Sequence, residues 1–221
     1  MKKITLTIPG ADNYYLQEAY KTLRTNILFC GSEIKTIGFT SYEKNEGKTT
    51  VVLSIAKSFA ELGQRVIILD SDMRNSVMAG RNSDVEDPVG LSEVLTGMET
   101  LGDSIYSTQY QGLDVLFSGK YPPNPVELLN GKYFGAVIDA LKKVYSYIFI
   151  DTAPLGRVVD ASVIATKCDG MVLVIGDPKV HSRQLQDTVE QLKKSDTQIL
   201  GVVRNRVSDG DKTYYKKSYK Y

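Results

Sequence analysis

TIGFTSYEKNEGKTT, residues 36–50, is the stretch on which the fold turns. Its first five residues are apolar and β-branched and read as a short strand. Its end opens a helical pattern over 49–62, with Val52, Ile55, Ala56, Phe59 and Ala60 on one face and Gly63 as a stop. A strand that runs through a tight loop into a helix is a phosphate cradle. Successive backbone N–H groups turn inward, and the positive end of the helix faces the same point. Lys48 supplies a point charge for β- and γ-phosphates, and the Thr49 hydroxyl suits Mg²⁺. Gly47 lets the backbone approach a ligand where a side chain would block it. Glu46, Gly47, Lys48, Thr49 and Thr50 are therefore the candidate nucleotide-contacting run. The first glycine of the GxxxxGK[ST] pattern is replaced by Tyr42.

Outward from this loop, further apolar runs recur: 66–70, 113–117, 147–151, 171–176 and 199–203. They are nearly continuously apolar, as strands covered on both faces are. Helical patterns lie between them at 134–144 and 182–194. The alternation implies α/β architecture: a doubly wound, mostly parallel sheet flanked by helices, the P-loop NTPase fold. A helical segment at about 12–29 precedes the first of these strands, with Leu16, Tyr20, Leu23 and Ile27 as its apolar stripe. Residues 75–112 read as a long connection with little strand character and one short helix, GLSEVLTG, at 90–97. Residues 1–207 are expected to form one domain.

Two strands end in acids. VIILDSDMR places Asp70 at a strand terminus with Asp72 and Arg74 beyond it, and YIFIDTAP does the same with Asp151. Acids at the carboxyl ends of parallel strands converge on the crevice where such sheets bind ligands. There they can hold Mg²⁺, directly or through water. A plainer role, capping the helices that follow, competes with this reading.

Lys plus Arg number 27 and Asp plus Glu 26, for a net charge of +1, so no whole-chain argument favours nucleic acid. No apolar run approaches the roughly 18 residues that span a bilayer. The start, MKKITLTIPG, lacks the apolar stretch of a signal peptide, so a cytoplasmic location is expected. Cys30 and Cys168 are expected to be reduced, buried thiols, and His181 a surface or capping residue. Four of the 14 tyrosines, Tyr214, Tyr215, Tyr219 and Tyr221, crowd the end of the chain, DKTYYKKSYKY. Four lysines there outweigh one aspartate. Residues 208–221 read as a flexible tail whose hydroxyls invite modification or whose charge binds an acidic surface.

GKTT, ILDSDMR and FIDTAP stand in the order of Walker A, Walker A′ and Walker B motifs. The chain resembles the deviant-Walker ATPases. Within them it resembles most the bacterial protein-tyrosine kinases of capsule and exopolysaccharide synthesis. EAYKTLRTNI at 18–27, GLSEVLTG, PPNPVELL at 122–129 and the tyrosine-rich end carry that resemblance beyond the three motifs. It implies an ATP-dependent tyrosine autokinase acting in trans on its tail tyrosines within a ring. ATP and Mg²⁺ are then the cofactors. Lys48 and Thr49 bind phosphates and metal, and Asp72 and Asp151 hold the metal shell. Asp70 accepts the tyrosine proton or orders the metal's waters, and Asn205 sits near the adenine. Glu18, Lys21 and Arg24 stand where the family has its Glu-x-x-Arg-x-x-Arg oligomerisation signature, with lysine in the middle position. A solvated charge face is the plainer reading of these three. The implied partners are a membrane-anchored activator of the polysaccharide co-polymerase type, which recruits the kinase to the inner face of the membrane, and a tyrosine phosphatase. The other expectation is a division- or partition-type ATPase that dimerises on ATP. Glu43 stands where that type carries its signature lysine.

Overall fold

The computed structural model describes residues 2–156, 158–176 and 182–207. Within them the chain runs β1 (Lys2–Lys3), α1 (Tyr14–Phe29), β2 (Thr36–Ser41), α2 (Lys48–Ala60), β3 (Val66–Asp70), α3 (Met78–Asn82) and α4 (Leu91–Leu95). It continues through β4 (Ile105–Ser107), β5 (Leu113–Leu116), α5 (Pro125–Asn130), α6 (Lys132–Lys142) and β6 (Tyr147–Asp151). It closes with α7 (Asp160–Ala165), β7 (Gly170–Ile175), α8 (Ser182–Lys193) and β8 (Ile199–Arg204). His181 and the tail tyrosines lie outside the described residues.

The strands form one sheet in the order β1-β4-β5-β3-β6-β2-β7-β8, parallel at every pairing except β4 with β5. The two faces follow from the period of two along each strand. Val66, Ile68 and Phe149 point into a core shared with α1 and α2, where Phe59 packs edge-on against Phe149. Ile67, Leu69, Ile148 and Ile150 point the other way, into a core with α4, α6 and α7. This is the doubly wound, mostly parallel sheet expected from the sequence.

Several elements depart from expectation. Residues 75–112 contain β4 as well as two short α-helices and a 3₁₀ turn at Gly102–Ser104, and β4 is too short to leave a strand signature. The opening residues form β1 on the sheet edge, and Ile4, Leu6 and Ile8 are buried in the core. Their alternation in ITLTI was the available signal. Helix α1 begins where Asn13 caps it, its Oδ1 accepting from the Tyr15 and Leu16 amides at 3.0 and 3.2 Å. Of its apolar stripe, Ile27 is buried and Tyr20 and Leu23 pack on the core, but Leu16 stays exposed. Both cysteines are free but only half-buried, less than expected, and burial pushes the Cys168 thiol up to about 12.

Asp169 joins the start of β2 to the start of β7. Its Oδ2 accepts from the Lys35 and Thr36 amides at 3.0 and 2.7 Å, and Oδ1 meets Lys142 Nζ at 3.2 Å. Partial burial alone would raise its pKa, but these donors outweigh it and hold the carboxyl below the usual range. A carboxylate depressed in the folded state stabilises above its unfolded pKa of about 4 and ceases to as pH falls through the folded value. Asp169→Asn should therefore cost about 1–2 kcal/mol in urea unfolding at pH 7. The gap from wild type should close as the pH is lowered below 4.

Candidate nucleotide site

The loop between β2 and α2 shows why the chain tolerates Tyr42 in place of the usual glycine. The left-handed positions are Asn45, at φ +64°, and Gly47, at φ +84°, and Tyr42 is not among them. Asparagine adopts that conformation at little cost, and glycine at none. At Tyr42 the chain is held instead by its carbonyl, which accepts from the Gly156 amide at 3.1 Å. Gly47 is the N-cap of α2 and brings no side-chain cap, which leaves the first-turn N–H groups directed at the loop's interior.

A buried acid braces the loop from beneath. Glu46 accepts from the Glu43 amide at 3.0 Å, and its Cα lies 2.7 Å from where a Cβ on Gly176 would stand. Asn205, just past β8, donates from Nδ2 to the Glu46 carbonyl at 3.0 Å. A Cβ on Gly47 would stand 2.0 Å from that same nitrogen. Asn205 thus reaches the site from the far end of the chain, and the structure brings it against the phosphate loop itself.

Lys48 and Thr49 turn from the first turn of α2 onto Asp151. Lys48 Nζ pairs with Asp151 Oδ1, and Thr49 Oγ1 donates to Oδ2 at 2.7 Å. Asp70 and Asp151 are register partners on the neighbouring strands β3 and β6. Asp72 follows on the loop beyond β3. Asp70 accepts from the Asp72 amide at 3.2 Å and from the Ser76 hydroxyl, and Asp72 Oδ1 accepts from the Asn75 amide at 3.0 Å. Burial, then the charge of Asp151, raises Asp70 to about 7. Burial raises Asp72 also, with Lys48 pulling the other way.

Three buried carboxylates against one ammonium make a site that lacks positive charge. That fits a divalent cation. Among the described residues no cluster of three His, Cys, Asp or Glu side chains is arranged as a metal cage. Mg²⁺ does not ask for one, since it keeps several waters and takes one or two carboxylates with phosphate oxygens. Thr49, Asp72 and Asp151 are residues that could hold such an ion, whose positive charge would draw electron density from a bound phosphoryl group.

Sequence reasoning missed Asp160. It is fully buried at the first residue of α7 and receives Arg74 in a fork, Nε to Oδ2 at 2.7 Å and Nη2 to Oδ1 at 3.2 Å. No motif flags it, because its partner lies 86 positions earlier. Thr50 lies in the first turn of α2. The candidate oligomerisation residues stand apart from the site. Glu18 and Lys21 form an exposed pair at 2.8 Å on α1. Arg24 does not share their face. It turns inward and donates to the Ser58 carbonyl and, at 3.0 Å, to the Ser58 hydroxyl, fastening α1 to α2.

A profile described as an AAA domain matches residues 34–202. The tyrosine-protein kinase CpsD of Streptococcus agalactiae serotype Ia is 41% identical over 198 residues, covering 90% of this chain and 85% of that protein. The chain belongs to the bacterial tyrosine-protein kinases. The putative tyrosine-protein kinase CapB of Staphylococcus aureus is 33% identical over 90% of this kinase and 89% of its own length. Among solved structures, the chimerical protein CapA2B2 superposes with a TM-score of 0.86 at 30% identity, covering 94% of each chain. The septum site-determining protein MinD of Pyrococcus horikoshii, complexed with Mg-ADP, superposes at 0.65 and 27% identity over 79% of this chain and 71% of its own. The fold is thus shared with division ATPases, and the fit is closer on the kinase side.

Gly47→Ala should disable the loop of this kinase. A Cβ at φ +84° costs about 1–2 kcal/mol and drives into Asn205. In a titration with a fluorescent nucleotide, the variant is expected to bind far more weakly than wild type while its far-ultraviolet circular dichroism stays native.

Proposed function

We propose that this kinase transfers the γ-phosphoryl group of ATP to the hydroxyls of Tyr214, Tyr215, Tyr219 and Tyr221 of a neighbouring copy, and that this cycle regulates capsular or exopolysaccharide synthesis and export. The observation that carries the reading is the convergence of Lys48, Thr49, Asp70, Asp72 and Asp151 at one end of a sheet shared with tyrosine kinases. Phosphoryl transfer asks mainly for positioning and charge neutralisation. The first-turn N–H groups of α2 and Lys48 orient the phosphates, and Thr49, Asp72 and Asp151 hold Mg²⁺. Asn205, held on the loop at the Glu46 carbonyl, would reach the adenine, as the family resemblance implies.

Asp70 has two roles open to it. A tyrosine hydroxyl has a pKa near 10, and a carboxyl lifted to about 7 is a better acceptor for its proton than an ordinary aspartate. Both oxygens of Asp70 are already engaged, by the Asp72 amide and Ser76. That favours the second role, ordering the groups around the metal.

Self-association through α1 completes the reading. The helix keeps Glu18 and Lys21 outward, and Tyr14, Tyr15 and Phe29 are exposed along it, Phe29 at 83%. The Glu18–Lys21 pair by itself is worth only a few tenths of a kcal/mol. Interface strength must come from apolar area, with charge setting register. The last eleven residues, 211–221, carry a net local charge of +3, from four lysines against Asp211. Each phosphate adds about two negative charges, so modification would reverse the tail's sign and loosen its hold on an acidic site. Among the described residues no helix is long and apolar enough to cross a membrane. A membrane-anchored activator of the co-polymerase type would bring the kinase to the inner membrane face from the cytoplasm, and a tyrosine phosphatase would reset the tail.

Intact-mass spectrometry after incubation with Mg-ATP and an activator segment should find phosphate on the tail. Lys48→Met should find none. Mixing a tail-deleted active chain with a Lys48→Met chain that keeps its tail should phosphorylate the latter. An unmodified tail in wild type would overturn the autokinase reading and favour an ATP-driven switch.

A further inference from the structure

The mechanism above leaves one buried carboxylate without a task. Asp160 is fully buried, and its partner Arg74 is 33% exposed at the edge of the site. A buried charge is retained only when it is paired with good geometry, and the guanidinium fork supplies that geometry where an ammonium would not. The pair's place in the topology gives it meaning. Arg74 lies on the loop that leaves β3 just after Asp70 and Asp72, and Asp160 ends the loop that leaves β6 just after Asp151. β3 and β6 are hydrogen-bonded neighbours with Asp70 and Asp151 in register. The Arg74–Asp160 pair therefore ties together the two loops that issue from the acid-bearing strand ends.

Each end of this tie is anchored. At its base the β3 loop is closed by Asp70, which holds the Asp72 amide on one side and the Ser76 hydroxyl on the other. Arg74 is at the loop's outer turn, which is also held by the Met73 amide on the Ser71 carbonyl at 2.9 Å and by the Asn75 amide on Asp72. On the other side α7 is packed in the core through Ala161, Ile164 and Ala165, so Asp160 is a fixed post. A second tie lies beneath, where the Ser71 amide and hydroxyl both donate to the Asp151 carbonyl at 2.8 Å. The two loops are thus joined at two points, Ser71 on Asp151 and Arg74 on Asp160.

We infer that Asp160 is a positioning residue for the metal-facing acids: through its fork on Arg74 it sets the separation and aim of Asp72 and Asp151. This rests on the proposed reading that those two acids hold Mg²⁺. Partners that orient metal ligands without touching the metal change metal affinity by about 10–100-fold when lost. The fork should therefore act on metal-dependent binding rather than on the cradle that Gly47 and α2 provide.

The test uses the full chain and a fluorescent ADP analogue, titrated with Mg²⁺ or with EDTA. Arg74→Lys keeps the charge, loses the fork and stands at the partly exposed end of the pair, so it is the variant that spares folding. Asp160→Asn is its complement. Each is expected to lose about ten-fold or more in the affinity gained from Mg²⁺, with affinity in EDTA unchanged. The double variant should be no worse than the poorer single. Equal loss in Mg²⁺ and EDTA, or full retention of the Mg²⁺ gain despite a lowered Tm, would overturn the positioning role and leave a structural pair. If wild type itself gains nothing from Mg²⁺, the metal reading fails and this inference fails with it.

Discussion

The buried pair between Lys48 and Asp151 is the constraint around which the rest of the structure is arranged. Neither charge could be left alone at that depth, since an unpaired buried ion costs several kcal/mol. The pair can form only if the phosphate loop and the end of β6 meet. They meet because β2 and β6 are hydrogen-bonded neighbours running the same way, with Phe39 opposite Asp151. The same parallel pairing carries β3 alongside and delivers Asp70 to the register of Asp151. A phosphate cradle, a cation and three acids are thereby brought together by strand order alone.

That arrangement stores charge imbalance at one end of the sheet. Burial and Asp151 lift Asp70 against the Ser76 hydroxyl and Lys48, and burial lifts Asp72 against Lys48 and the Asn75 amide. Electrostatic excess of this kind is poor for stability and useful for chemistry, because a cation and a phosphorylated ligand can relieve it together. Arg74 relieves it only weakly, through Asp72. Its fork is committed to Asp160, one step behind the acids, where it holds loops rather than phosphate.

Much of this was legible in the residues. Runs such as VIILD and YIFID read as buried strands because both of their faces are covered, and the structure shows those faces divided between two cores. The strand–loop–helix context identified the phosphate loop even with Tyr42 out of pattern, and the left-handed positions at Asn45 and Gly47 explain why the exception is harmless. Short elements were not legible. β4 and α7 are too brief to show a period, and their conformation is imposed by the sheet edge or core they pack on. Arg24 shows the limit of spacing arguments. Helical periodicity put it on the face of Glu18 and Lys21, but its long side chain curls onto Ser58 of α2.

The sequence by itself determined the class of fold, the phosphate loop, the acids at strand ends and the kinase relationship, because each is written in local pattern or in motif order. Only the tertiary structure decided which acids face one another, that Asn205 and Glu46 brace the loop together, and that Asp160 clasps Arg74. Those contacts join positions as much as 159 residues apart. Strand order in the sheet creates them, and no local stretch of chain encodes strand order.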